Sequence, residues 1–106
     1  MKIVRTTRYR RDMDRIGASS AEMEALERNI ADMPTSGAVV PGLRGIRKIR
    51  FGLAGRGKRG GGRAIYYLLV ADDAAIMLAA YAKNEKDDLS PADRKAILTL
   101  LKEFDP

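Results

Sequence analysis

The stretch that most restricts the fold is RAIYYLLVADDAAIMLAAYA, residues 63–82. From Arg63 to Ala71 odd and even positions are apolar alike, the pattern of a central strand buried on both faces. Asp72 and Asp73 supply a turn, and the apolar run from Ala75 to Ala82 returns as a second strand. Upstream, from Ile46, the period is two. Ile49 and Phe51 fall to one face, Lys48 and Arg50 to the other, which predicts a half-buried strand with a cationic outer face. Three successive strands with short links read as an antiparallel meander.

Helical signals flank these strands. Tyr9, Met13 and Ile16 recur at i, i+4, i+7 and are followed by Gly17, which predicts a short helix with one apolar face. Ser19 and Glu22 form a capping box ahead of Met23, Leu26, Ile30 and Met33, a second helix that Pro34 stops. Ser90, Pro91 and Asp93 open a last helix with an N-cap hydroxyl, a proline at the first helical position and an acid at the third. Its buried stripe is Ile97, Leu100, Leu101 and Phe104. Lys2 to Thr6 forms a short first strand, and Pro34 to Gly42 is a turn-rich connector. Gly52 to Gly62, with six glycines in eleven residues, reads as a flexible loop. The expectation is an α+β fold: two N-terminal helices, an antiparallel meander of three to four strands and a C-terminal helix. It forms a single domain over residues 1–106.

The chain has neither cysteine nor histidine. Disulfides, thiolate zinc sites, a cysteine nucleophile, histidine triads and most transition-metal sites are thereby excluded. Chemistry must run on Lys, Arg, Tyr, Ser, Thr or carboxylates. The net charge is +6, unevenly spread. Arg44, Arg47, Lys48, Arg50, Arg56, Lys58, Arg59 and Arg63 fall within twenty residues that contain no acid, whereas residues 64–106 carry a net −3. A solubilising surface intersperses the signs, so a block of one sign reads as the footprint of a polyanion ligand or, alternatively, as a basic loop without one. Asp72-Asp73 and Asp87-Asp88 are adjacent pairs that point apart, so no metal site is expected. GLAGRGK, residues 52–58, matches the first seven positions of a Walker A loop, but Arg59 stands where the magnesium-binding hydroxyl belongs and a strand follows instead of a helix. The aromatics lack paired stacking positions for RNA bases. The longest apolar run falls short of the ~20 residues of a membrane span. MKIVRTTRYRR has no apolar secretory core, so a soluble cytoplasmic protein without membrane association is expected.

Lys48 and Arg50 share a strand face, and a hairpin places Arg63 beside them. Tyr81 and Lys83 share a face at the end of the third strand, with Asn84, Glu85 and Lys86 in its exit loop. Together they line one cationic sheet face, covered on its other side by the helices. RNA cleavage needs a 2′-hydroxyl deprotonated, a phosphate aligned, its growing charge neutralised and the leaving oxygen protonated. Arg and Lys supply the electrostatic part, and a Lys among cations can act as a base. The same residues could instead only hold a nucleic acid or an acidic protein.

Three strings carry a resemblance: LRGIRKIRF (43–51), GRGKRGGGRAIYY (55–67) and AAYAKNEKDDLSPADRKAI (79–97). Together they resemble the HigB-type branch of the RelE/ParE toxin superfamily, the toxin halves of bacterial type II toxin–antitoxin modules. The resemblance implies a sheet backed by helices and a cofactor-free endoribonuclease that cuts mRNA in the ribosomal A site. Its partners would be the ribosome and a cognate antitoxin of the helix-turn-helix DNA-binding kind. It places Lys48 as base or phosphate ligand, Arg50 and Arg63 as transition-state charge stabilisers, and Lys83 with them in the site, to which Tyr81 is added as the nearest phenol. Arg47, Arg56, Lys58, Arg59, Asn84 and Lys86 become RNA-binding positions. Asn84 stands where RelE-type enzymes carry a key arginine, and their C-terminal tyrosine falls near Ser90. A gyrase inhibitor of the ParE-like branch, a non-catalytic binding module and a decayed toxin that retains only antitoxin binding are the alternatives.

Overall fold

The sheet is built around β5 (Ala74–Ala82), buried at every one of its positions. In the computed structural model, which describes residues 1–54 and 58–104 and only the backbone at 58–60, β4 (Lys58–Leu69) runs antiparallel to it, and β3 (Arg47–Leu53) antiparallel to β4. These are the meander strands, but the sheet has five strands among the described residues and is mixed. β1 (Lys2–Arg5) lies parallel to β5, Lys2 opposite Ala74 and Arg5 opposite Met77. β2 (Ala38–Val39), inside the expected connector, pairs with Arg47 and Lys48 at the far edge. A parallel partner needs a long crossover, so no local pattern announces it.

The glycine-rich stretch also departs from expectation. β3 runs to Leu53 and β4 begins at Lys58, so strand occupies most of what reads as a flexible loop, while residues 55–57 lie outside the described residues. Gly62 shows why glycine suits a strand here. It sits opposite Phe51, and a Cβ on it would meet the Phe51 ring at 2.5 Å. Glycine in a strand marks such a close approach. At its other end β4 stops at Leu69, and a single 3₁₀ turn (Val70–Asp72) leads into β5.

Both faces of the sheet are covered. On one, α1 (Thr7–Ile16) and α2 (Ser20–Asp32) place Tyr9, Met13, Ile16, Leu26 and Ile30 against Ile49, Phe51, Ala64, Tyr66 and Met77. On the other, α3 (Pro91–Leu101) and the Val40–Ile46 segment bring Leu43, Ile46, Ile97 and Leu101 onto Ile65, Ile76, Leu78 and Tyr81. The helices therefore do not all lie behind the cationic face: α3 packs on the same side, because Ile65, Ile76 and Leu78 would otherwise be bare. Both serine capping boxes form, and Gly17 ends α1 with a left-handed φ of 75°. Met33 is not part of the core stripe. It caps α2 at φ −138° and ψ 80°, 61% exposed, since the residue before a proline is driven out of helical geometry.

β1 ends at Arg5, which leaves the last half of β5 without a strand on that side. Side chains fill the gap. Thr6 Oγ1 donates to the Met77 carbonyl (2.7 Å), Asp12 Oδ2 accepts from Ala80 N (2.9 Å), and Arg15 donates to the Ala80 carbonyl (3.2 Å). Glu85 Oε1 accepts from Ala82 N (3.0 Å) and from Arg15 (2.8 Å). Here β5 carries one extra residue. Ile65 pairs with Ala79 and Tyr66 with Met77, so Leu78 is bulged out of register. A bulge changes the parity of everything beyond it. Tyr81, which simple alternation from Ala75 and Met77 would aim at α1 and α2, lies instead in the cluster on the α3 face.

Candidate functional site

Register assembles the cationic face. Arg50 of β3 is directly opposite Arg63 of β4, and Arg63 is directly opposite Tyr81 of β5. Lys48 lies two residues from Arg50 on the same side of β3, opposite Ile65. Like charges set opposite each other on neighbouring strands repel, so this row is electrostatically costly without an anion. Arg50 is exposed and makes no ion pair among the described residues. Arg63 is half-buried and donates Nη1 to the Gly62 carbonyl (3.0 Å).

Two carboxylates meet this face, and sequence reasoning assigned neither of them there. Asp88 Oδ1 is 3.5 Å from Lys48 Nζ. Its carboxyl is held below the usual range, first by the Leu89 N–H that it accepts and then by Lys48. Asp93, read as a helix-capping acid, also accepts from Lys86 Nζ (2.9 Å) and from Arg8 Nη2 (3.0 Å) on α1. Burial alone would raise the Asp93 carboxyl, but the hydrogen bonds from Lys86, Ser90 and Arg8 outweigh it and hold the group well below the usual range. Arg8 also lies 3.6 Å from Asp12, four residues on along α1. Nothing local pointed to Asp88.

Tyr81 is 2% exposed, and its buried hydroxyl has no hydrogen-bond partner among the described residues. Burial, and after it Asp88, pushes the phenol up against the opposing pull of Arg63. The group therefore stays protonated near neutral pH and can only donate or accept as a neutral hydroxyl. Lys86 Nζ stands 5.8 Å from the centre of its ring, within cation–π range. A buried hydroxyl without a partner among the described residues, under Lys86 and on the residue opposite Arg63, is the kind of orphan that a functional site keeps.

Other anticipated positions scatter. Arg47 falls to the opposite side of β3 from Lys48, with Nη1 donating to the Thr35 (3.3 Å) and Gly37 (2.7 Å) carbonyls. Lys83 and Asn84 are exposed in the turn after β5, anchored where Lys83 N donates to the Gly61 carbonyl (2.8 Å). Arg56 lies outside the described residues, as do the side chains of Lys58 and Arg59. Lys48, Arg50, Arg63 and Tyr81 thus share one face, with Lys86 over the Tyr81 ring. Among the described residues no three His, Cys, Asp or Glu side chains gather for a metal, and no helix is long and apolar enough to cross a membrane.

The chemistry on offer is anionic recognition by guanidinium and ammonium groups, with a protonated phenol at one end and a carboxylate at the other. Comparison with known proteins supplies a family and a fold. Residues 1–105 match the family described as the RelE toxin of the RelE/RelB toxin–antitoxin system. Among solved structures, the free state of an arginine double mutant of the E. coli toxin RelE superposes with a TM-score of 0.53 at 14% identity. The match covers 81% of this chain and 86% of that one. At that identity the likeness is one of fold.

Proposed function

This chain belongs to the RelE toxin family, and from that premise we propose that it is a translation-inhibiting toxin that cuts mRNA on the ribosome. The observation that carries the reading is the line of Arg50, Arg63 and Tyr81 across three adjacent strands, with Lys48 beside it. In the reaction, the ribose 2′-oxygen attacks the adjacent phosphorus, its proton leaves to a base, and the 5′-oxygen of the next nucleotide departs with a proton. Arg50 and Arg63 neutralise the charge growing on the phosphoryl oxygens, a contribution worth ~2.7–4 kcal/mol per donor in comparable sites. Lys48 takes the proton or binds the phosphate, and Tyr81, held protonated, is the candidate donor to the leaving oxygen. Lys83, Asn84 and Lys86 position the RNA together with Arg56, Lys58 and Arg59, while Arg47 already gives its donors to Thr35 and Gly37. No cofactor or metal is needed, since the guanidinium groups supply the positive charge. The partners of this reading are A-site mRNA, the ribosome and a cognate antitoxin of the helix-turn-helix type, in the bacterial cytoplasm.

A second reading is favoured by one feature. Tyr81 is buried, and Lys48 and Lys86 are paired with Asp88 and Asp93, an arrangement that also suits a face that binds without cutting. That alternative includes a ParE-like inhibitor of gyrase. A defined mRNA incubated with and without programmed ribosomes, its new ends mapped by primer extension, separates the two. Cuts that require ribosomes and vanish in a folded Arg63→Ala variant are expected. Intact transcripts from folded protein, with DNA-damage signalling in expressing cells, would overturn the nuclease in favour of the second reading.

A further inference from the structure

Gly62 is explained by the Phe51 ring against it, but nothing comparable explains Gly52 in β3. Its φ is not left-handed, and a Cβ added to it would meet nothing within 4 Å among the described residues. The irregularity of the ladder nearby belongs to β4. From Phe51 to Leu53 β3 advances two residues, while β4 advances four, from Gly62 to Lys58. β3 keeps its alternation throughout, with Ile49, Phe51 and Leu53 buried and Arg50 and Gly52 exposed. Gly52 therefore shares a face with Lys48 and Arg50, one step beyond the row. Glycine weakens a strand, and where neither φ nor packing asks for it, it marks a surface that another molecule approaches closely.

The edge of the sheet is open at the same place. Val40 N donates to the Ile46 carbonyl (2.9 Å) and Ala38 of β2 pairs with Lys48, so alternate residues from Ile46 onward turn their backbone groups to that side. β2 reaches no further than Ala38, and Ala54 N donates to the Glu22 carboxylate of α2. Between those two points the N–H and C=O groups of Arg50 and Gly52 face no strand among the described residues. A hollow of about 720 Å³ runs along this edge between β3 and α2, lined by exposed Ala21, Ala25, Asn29, Gly52 and Ala54. Arg50 borders it too, so the hollow and the cationic row are continuous.

We propose that Gly52 and this hollow seat the nucleoside next to the phosphate held by Arg50 and Arg63, an assignment that rests on the RNA reading above. The ribose passes over Gly52, where a side chain would obstruct it. The base turns over the edge of β3 toward the free backbone groups of Arg50 and Gly52 and the Asn29 amide. Hydrogen bonds to the edges of splayed-out bases are how single-stranded RNA is read, and this edge offers both donors and acceptors. An added peptide strand fits less well. Only two outward-facing residues are free before Glu22 closes the edge, short of the roughly five or six residues of an ordinary strand.

The test uses Gly52→Ala and Gly52→Val in the full chain, on a defined mRNA with programmed ribosomes. The turnover rate should fall about threefold for alanine and about twentyfold or more for valine, because a displaced nucleoside misaligns the attack. KM should stay within about twofold, since the ribosome delivers the mRNA. The unfolding midpoint should hold or rise in both variants, as alanine and valine suit an open strand position better than glycine. Asn29→Ala, on a separate element, should weaken binding of an uncleavable 2′-deoxyuridine oligonucleotide to the free protein a few-fold. Gly52→Val that cuts as fast as the parent would overturn the proposal. So would alanine costing as much as valine, which would make backbone freedom the cause, or a midpoint lowered by alanine, which would make the glycine structural. A parent protein that never cuts, yet binds the oligonucleotide and loses it with Gly52→Val, would uphold the seat and sink the nuclease. Cleavage indifferent to Gly52 would do the reverse.

Discussion

Along the α1 side of β5, buried charges meet their opposites; along β3 and β4, a cation is set against a cation. In the first region Glu27 accepts from Arg5 Nε and Nη2, both at 2.9 Å, and from the Tyr9 hydroxyl at 2.7 Å. Asp12 pairs with Arg8 and Arg15 and takes the Ala80 amide. These groups hold α1 and α2 to the sheet. In the second region Arg50 faces Arg63 and makes no ion pair among the described residues. Charges completed within the fold serve the fold, whereas Arg50, with no ion pair among the described residues, is left for a partner from outside. The first arrangement predicts loss of stability when broken, the second loss of function.

Asp12→Ala is the most severe way to break the first region. It strips the Ala80 amide of its side-chain acceptor and removes one of the carboxylates that Arg8 and Arg15 each meet, and should lower unfolding stability by about 3 kcal/mol in a urea titration. A loss below about 1 kcal/mol would mean that the clamp is decorative and the contrast false. Arg50→Ala strikes the second region. Stability should stay within about 0.5 kcal/mol, as for other exposed positions, while ribosome-dependent cleavage falls about 10²-fold. A variant that unfolds easily yet still cuts would invert the comparison.

Asp88→Asn tests the border between the two regions. Freed of its 3.5 Å partner, Lys48 should bind RNA a few-fold more tightly in a filter-binding titration at low salt, an advantage that fades as salt rises. Weaker binding would instead make Asp88 part of the working site. The smallest effect is on acid unfolding. Asp93 and Glu85 are carboxyls held below their usual range, Asp93 by its hydrogen bonds against burial and Glu85 chiefly by Arg15. Their stabilisation is therefore complete above the unfolded value near pH ~4 and is lost as the pH falls through the folded one. Asp93→Asn should flatten that acid limb in a pH series of thermal melts; an unchanged limb would mean that the Lys86 and Arg8 contacts do not persist in solution.

Both regions were unequally legible beforehand. Lys48, Arg50 and Arg63 could be placed on one face because alternation along a strand and the tightness of a hairpin are short-range rules. The clamp could not, since its contacts join distant positions: Asp12 to Ala80 spans 68 residues and Arg8 to Asp93 spans 85. Asp88 looked like loop filler until the chain folded back onto Lys48. Met33 kept the helical spacing but lost the helix, because Pro34 acts on the residue before it.

From sequence alone came the α+β class, all three helices, the serine caps of α2 and α3 and the glycine that ends α1, the three meander strands and the sign of the charge on one face; the Thr6 cap of α1 was read as strand. Each depends on neighbours a few residues apart, where hydrophobic period and side-chain capping decide the outcome. Tertiary structure alone settled that β1 runs parallel to β5, that α3 shares the cationic face, and that a bulge at Leu78 is what keeps Tyr81 opposite Arg63, where the sequence had placed it. Those depend on which distant groups satisfy the free edge of β5 and which apolar surface remains to be covered. Neither question has an answer until the whole chain has packed.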